Sequence, residues 1–86
     1  MNALIITIIG LFAAFCTTIS FLPQALKTIQ TKNTSGISLR MYFLFTLGTL
    51  LWLVYGLLSA NIPIIIANAI TLVFATVILL YKMKYN

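Results

Sequence analysis

The sequence predicts an all-α membrane protein built as a bundle of three transmembrane helices, on three observations. The chain has 86 residues, 63% of them hydrophobic and only 6% charged. A soluble domain this small must cover a large surface with polar groups, and this chain lacks them. Three helices of ~20 apolar residues use ~60 residues, which leaves only short loops and tails. The five cations, Lys27, Lys32, Arg40, Lys82 and Lys84, fall between or after the apolar stretches. One domain, residues 1–86, follows, with the lipid bilayer as its solvent.

The first span covers about residues 3–26, and its pattern can run on through 27–31 at headgroup level. A segment rich in turn residues follows, Lys32-Asn33-Thr34-Ser35-Gly36, so the connection is placed at about 27–40. The second span covers about 41–60 and the third about 62–81. Between them stands only Ser59-Ala60-Asn61-Ile62-Pro63. Asn61 suits a helix cap and Pro63 suits a first helical turn, so the chain reverses here as a tight helical hairpin.

Charge sets the expected orientation. Neither the N-terminus nor the Asn61 turn carries a charged side chain. The positive-inside rule then places the N-terminus outside and both the 27–40 loop and the C-terminus in the cytoplasm. Asn33-Thr34-Ser35 matches a glycosylation sequon but is inert on the cytoplasmic side.

The chain contains no Asp, Glu or His. No general acid–base pair, metal cluster or activated nucleophile can be assembled from what remains, so an enzyme is not expected, nor a metal or other cofactor. Cys16 is the sole cysteine, which excludes an intrachain disulfide and suits a small apolar packing residue. The run before it resembles a lipoprotein signal only loosely, because Phe15 is too bulky for a cleavage site and no positive n-region precedes it. A net charge of +5 would suit nucleic acid only as a basic patch on a soluble surface, and no nucleic-acid partner is expected.

Small and polar residues form one stripe per span at helical spacing, the pattern by which helices associate in lipid. Span one shows Gly10, Ala13, Thr17, Ser20 and Gln24. Span two shows Met41, Phe45, Gly48, Trp52, Tyr55 and Ser59, and span three Asn68, Thr71 and Ala75. Packing seams explain Gly10, Ala13 and Ala75. Trp52 is harder to explain that way, since tryptophan favours the membrane interface yet lies roughly 12 Å below the hairpin turn at 1.5 Å per residue. Asn68 lies roughly 9 Å deep on the neighbouring helix by the same rise. Pro23-Gln24 is a candidate hinge, because proline removes the donor for the Ile19 carbonyl and tends to kink the axis. From these residues alone, a solute site and a set of interhelical hydrogen bonds both remain open.

The run Thr17-Thr18-Ile19-Ser20-Phe21-Leu22-Pro23-Gln24, then Lys27-Thr28, a polar loop and Gly36-Ile37-Ser38, resembles a PQ-loop protein. Downstream, Met41-Tyr42, Gly48, Trp52, Tyr55-Gly56, Pro63, Asn68 and Thr71 follow the order seen in SemiSWEETs, the bacterial half-size relatives of SWEET sugar transporters. The match covers nearly the whole chain. It implies a three-helix unit that forms a parallel homodimer (3+3 helices) around a central pathway in the bacterial cytoplasmic membrane. SWEETs are among the known parallel-repeat carriers. It implies a sugar pocket lined by Trp52 and Asn68, a hinge at Pro23 and Gln24, and pocket walls at Thr17, Ser20 and Gly48. On the cytoplasmic side, Met41 and Phe45 lie one turn apart on the Trp52 face and are candidate inner-gate plugs. The chemistry agrees, since an indole gives a flat amphipathic platform and a carboxamide both donates and accepts.

Many SemiSWEETs close the outer mouth with a Tyr, Arg and Asp network. Here Tyr55 remains, with Ser59 and Asn61 at the other two places, so the outer gate must use neutral hydrogen bonds, weaker than charge-assisted ones. An outward-open state more populated than in relatives with the ion pair is expected. Proton-coupled carriers use intramembrane Asp, Glu or His. Without these, the expectation is passive diffusion of a small neutral sugar, glucose or sucrose in class. The alternatives are a small membrane scaffold or subunit that binds no solute, and a carrier of another small neutral solute.

Overall fold

A computed structural model describes residues 2–85. It contains α1 (Ala3–Thr31), α2 (Leu39–Leu58) and α3 (Ile62–Tyr85). Their 29, 20 and 24 residues give lengths of about 44, 30 and 36 Å, against a hydrocarbon core of ~30 Å. Each is long and apolar enough to cross a membrane. α3 lies between the other two and packs on both, whereas α1 and α2 do not pack on each other. The result is a thin layer with Cα extents of 48 × 23 × 15 Å.

Missing side chains let α3 approach so closely. A β-carbon on Gly10 would stand 2.9 Å from Pro63 Cγ, and one on Gly56 would stand 2.8 Å from Ile64 Cγ2. These two approaches clamp the start of α3 between α1 and α2. Toward the other end, Ala25 of α1 and Ala75 and Ile78 of α3 are buried. Large apolar side chains along α1, such as Leu4, Ile8, Phe12, Phe15 and Ile19, are exposed, as a lipid-facing surface requires.

The α2–α3 reversal is a complete Schellman motif, in which two amide donors satisfy the last free carbonyls of a helix. Ala60 N–H donates to Leu57 O at 3.3 Å and Asn61 N–H to Gly56 O at 2.9 Å. Ala60 takes the left-handed conformation this requires, with φ 52. Asn61 Oδ1 then accepts from Ile64 N–H at 3.3 Å, so it caps α3, and Pro63 sits in the first turn.

The α1–α2 connection is shorter than the expected 27–40. α1 runs unbroken through Pro23 to Thr31, and only residues 32–38 are irregular. Thr28 and Thr31 hydroxyls donate to Gln24 O and Lys27 O, so these threonines stay in the helix. Lys32, left-handed at φ 55, ends it. At the far side, Ser38 Oγ accepts from Met41 N–H and starts α2 before Arg40. α3 likewise continues past 81 to Tyr85.

Gly56→Ala should therefore lower stability by about 1–3 kcal/mol, the usual range for overpacking. A β-carbon at Gly48 meets nothing within 4 Å, and alanine is the better helix former, so Gly48→Ala should leave stability unchanged or slightly raised. Thermal unfolding of both variants in detergent checks the contrast. Equal effects would refute the close approach at Gly56.

Candidate binding cavity

The gap between α1 and α2, floored by α3, is a cavity of about 450 Å³, within the ~300–1,000 Å³ of small-molecule sites. Its lining comes from all three helices: Thr17 from α1, Phe45, Gly48, Thr49 and Trp52 from α2, and Ala67, Asn68 and Thr71 from α3. Trp52 and Asn68 thus line one cavity from the neighbouring helices α2 and α3. Gly48 serves as open wall and not as a packing contact, since no atom lies within 4 Å of where its β-carbon would be.

The polar groups are fixed by short bonds to their own helices. Asn68 Nδ2 donates to Ile64 O at 2.9 Å, which orients the amide and leaves Oδ1 and one N–H unused. Thr17 Oγ1 donates to Ala13 O and Ala14 O at 3.2 Å each, and Thr49 Oγ1 to Phe45 O at 2.8 Å. Those hydroxyls have committed their protons and face the cavity as acceptors. Thr71 has no such bond among the described residues, so its hydroxyl can both donate and accept beside Asn68. Trp52 meets Tyr55 edge-on, with centroids 5.5 Å apart and an interplanar angle of 86°, a geometry that holds the indole in place. No charged side chain lines the cavity.

A second cavity of about 500 Å³ opens toward the α2–α3 turn and shares Thr17, Ala67 and Asn68 with the first. Ser59 and Asn61 line it. Their polar atoms are engaged locally, Ser59 Oγ donating to Tyr55 O at 2.8 Å and Asn61 Oδ1 capping α3. Tyr55 does not join them. It points with Leu51 and Trp52 into a separate hollow on α2, so within one chain the three expected outer-gate residues are split.

Ser20 and Gln24 also lie outside the central cavity. With Cys16, Thr17 and Phe21 they line a shallow hollow on α1, because the helix turns that face away from α3. Ser20 Oγ donates to Cys16 O at 2.9 Å. Gln24 is exposed, as is Pro23. At the other end of α2, Phe45 lines the cavity, and Tyr42 packs against it with centroids 5.5 Å apart. Met41, one turn further, is exposed and outside the lining. Thr49, Ala67 and Thr71 were not among the expected lining residues. Thr71 had a signal in its position one turn from Asn68 on the polar stripe of α3, whereas Thr49 and Ala67 had none.

The PQ loop repeat family model matches residues 5–65. A sugar transporter SemiSWEET of Leptospira biflexa is 55% identical over 76 residues, covering 88% of this chain and 89% of its own. The SemiSWEET of Bradyrhizobium diazoefficiens is 44% identical over 86 residues, the full length of both. Among solved structures, a SemiSWEET in the inward-open conformation superposes with a TM-score of 0.89 at 44% identity, covering 93% of each chain. A bacterial homologue of SWEET transporters gives 0.80 at 38% identity, over 95% of this chain and 99% of its own. With its Pro23-Gln24 corner, its central α3 and the Trp52–Asn68 cavity, the chain belongs to the PQ-loop family as a SemiSWEET.

Proposed function

We propose that the chain is one protomer of a homodimeric sugar uniporter in a bacterial cytoplasmic membrane, moving mono- or disaccharides by alternating access. The observation that carries this reading is the cavity without charged lining that Trp52 and Asn68 share. A sugar offers apolar C–H faces to an indole and a rim of hydroxyls to amide and hydroxyl groups. Trp52 is the stacking platform. Asn68 offers an acceptor and one N–H, and Thr71 adds a hydroxyl. Relatives named as sugar transporters support the substrate class.

The dimer is inferred from what one chain leaves open. Trp52 and Tyr55 are each 55% exposed, at a depth where lipid cannot satisfy an indole N–H or a phenol. A second copy facing the cavity covers both rings and closes the pathway. Pro23 leaves the Ile19 carbonyl without its helical donor, and Gln24 has no side-chain partner among the described residues, so α1 has its weakest ladder here. This is where we place the hinge. The positive-inside rule puts the N-terminus outside and the Lys-rich end in the cytoplasm.

With no Asp, Glu or His in the sequence, no intramembrane carboxylate or imidazole is available as a proton relay. Transport then runs down the sugar gradient in either direction. Accumulation of sugar against its gradient, driven by an imposed pH gradient in proteoliposomes, would overturn the uniport reading. No accumulation is expected.

Counterflow of labelled glucose and labelled sucrose, without a pH gradient, tests the site. Wild type should take up at least one sugar. Trp52→Ala and Asn68→Ala should abolish uptake in folded dimers, and Thr71→Val should reduce it severalfold. Uptake unaffected by all three substitutions would displace the site. No uptake from folded dimer would favour a scaffold or another neutral solute.

Without an ion pair at the outer mouth, the outward-open state should be more populated than in relatives that have one. Spin-label distance distributions across the α2–α3 turns of the dimer measure this, and populations equal to those of such relatives would refute it.

A further inference from the structure

Three ammonium groups gather where the α1–α2 loop meets the end of α3, in a chain without an acidic side chain. Lys32 Nζ and Lys84 Nζ lie 5.4 and 5.3 Å from the centroid of the same Tyr85 ring. The two ammoniums are therefore no more than about 11 Å apart. Lys82 Nζ donates to the Thr34 carbonyl at 3.0 Å. Thr34 is buried in the loop, and its carbonyl also accepts from Ile37 N–H at 3.0 Å. A ring quadrupole and a carbonyl dipole stabilise these cations but do not neutralise them. The C-terminal dipole of α3 adds the equivalent of about half a negative charge, so among the described residues most of the positive charge stands uncompensated.

The cluster sits at the right depth for a lipid headgroup. α3 is about 36 Å long against a ~30 Å hydrocarbon core, so its last turn reaches beyond the acyl chains. Tyr81 and Tyr85 pack edge-on there, with centroids 5.5 Å apart at 85°, and tyrosine favours this interface. Cations beside a membrane attract anionic lipids by about 1 kcal/mol each, an equilibrium factor of roughly five per charge. A phosphodiester supplies the missing counter-charge and oxygen acceptors for several N–H donors. A zwitterionic headgroup would bring its own ammonium against the lysines.

We propose that Lys32 and Lys84 at the Tyr85 ring, with Lys82 on the Thr34 carbonyl of the adjoining loop, bind the phosphate of an anionic phospholipid in the leaflet at the loop end of the bundle. Lys27 and Arg40, which have no partner among the described residues, contribute only a diffuse field. The bound lipid bridges Lys32 of the loop and Lys84 of α3. It reinforces the Lys82–Thr34 bond that already straps the loop to that helix.

The test uses the full chain in neutral detergent, titrated with dioctanoyl phosphatidylglycerol and followed by native mass spectrometry. Dioctanoyl phosphatidylcholine and inorganic phosphate are the comparison ligands. Wild type should bind phosphatidylglycerol saturably and phosphatidylcholine weakly, and excess inorganic phosphate should not displace the lipid. Lys32→Gln with Lys84→Gln should weaken phosphatidylglycerol binding roughly tenfold or more, while Lys27→Gln with Arg40→Gln, which removes the same charge, should change it less than about threefold. Equal losses in the two double variants would mean diffuse attraction and overturn the site. So would equal binding of the two lipids by wild type, a readout that needs no variant to fold. Displacement by inorganic phosphate would reassign the cluster to a soluble phosphate and overturn the lipid proposal.

Discussion

Gly10 lies against Pro63 and Gly56 against Ile64 so closely that a β-carbon on either glycine would enter the neighbouring side chain. Both contacts fall at the start of α3, one on each flank, and they seat that helix between its neighbours. With α3 in the middle, α1 and α2 cannot meet, and the space they leave is the cavity. Its floor is the Ala67, Asn68 and Thr71 face of α3, and its walls are Thr17 on one side and Gly48, Thr49 and Trp52 on the other. Glycine therefore has opposite roles in one bundle. At 10 and 56 a missing side chain admits a neighbour, and at 48 it preserves empty space.

A bilayer makes every unpaired polar group expensive, and the bundle meets this by local back-bonding. Thr17, Ser20, Thr28, Thr31, Thr46, Thr49 and Ser59 all donate to carbonyls one turn earlier. No buried side-chain polar atom is left unsatisfied among the described residues. This consumes the hydroxyl donors of Thr17 and Thr49 and leaves, facing the cavity, the second Asn68 N–H and the Thr71 hydroxyl on α3 and the indole N–H of Trp52 on α2. A hydroxyl-rich neutral ligand is the kind that can use donors and acceptors set side by side in this way.

The apolar runs and the cations between them made the three spans legible in the sequence, and Asn61 with Pro63 marked the reversal that the Schellman motif completes. Helical rise from the turn sets Trp52 and Asn68 at similar distances along α2 and α3, and both line the one cavity. The order of the helices was not legible. Each helix carries a similar stripe of small and polar residues on an otherwise apolar surface, so the pattern cannot say which pair packs. For the same reason the stripe on α1 does not say that Thr17 lines the central cavity while Ser20, which shares a hollow with it, does not. The pattern of α1 leaves its end open between residues 26 and 31. Lys27 and the polar residues after it suggest a loop, but a helix that emerges into the headgroups keeps its backbone bonds at no cost, and the threonines there bond back into it.

Charge is partitioned along the bundle, and that partition limits what the cavity can hold. All five cationic side chains lie toward the loop end, and none lines the cavity. A cation in such a place costs several kcal/mol when it has no counter-charge, and an anion finds no ammonium to offset its desolvation. A neutral ligand avoids both penalties, and the free donors of Asn68 and Thr71 are the groups that the proposed sugar site would use. Selection against charge therefore needs no dedicated filter. It follows from keeping the cations at the loop end, where the same groups that exclude charge from the cavity remain available to the membrane surface.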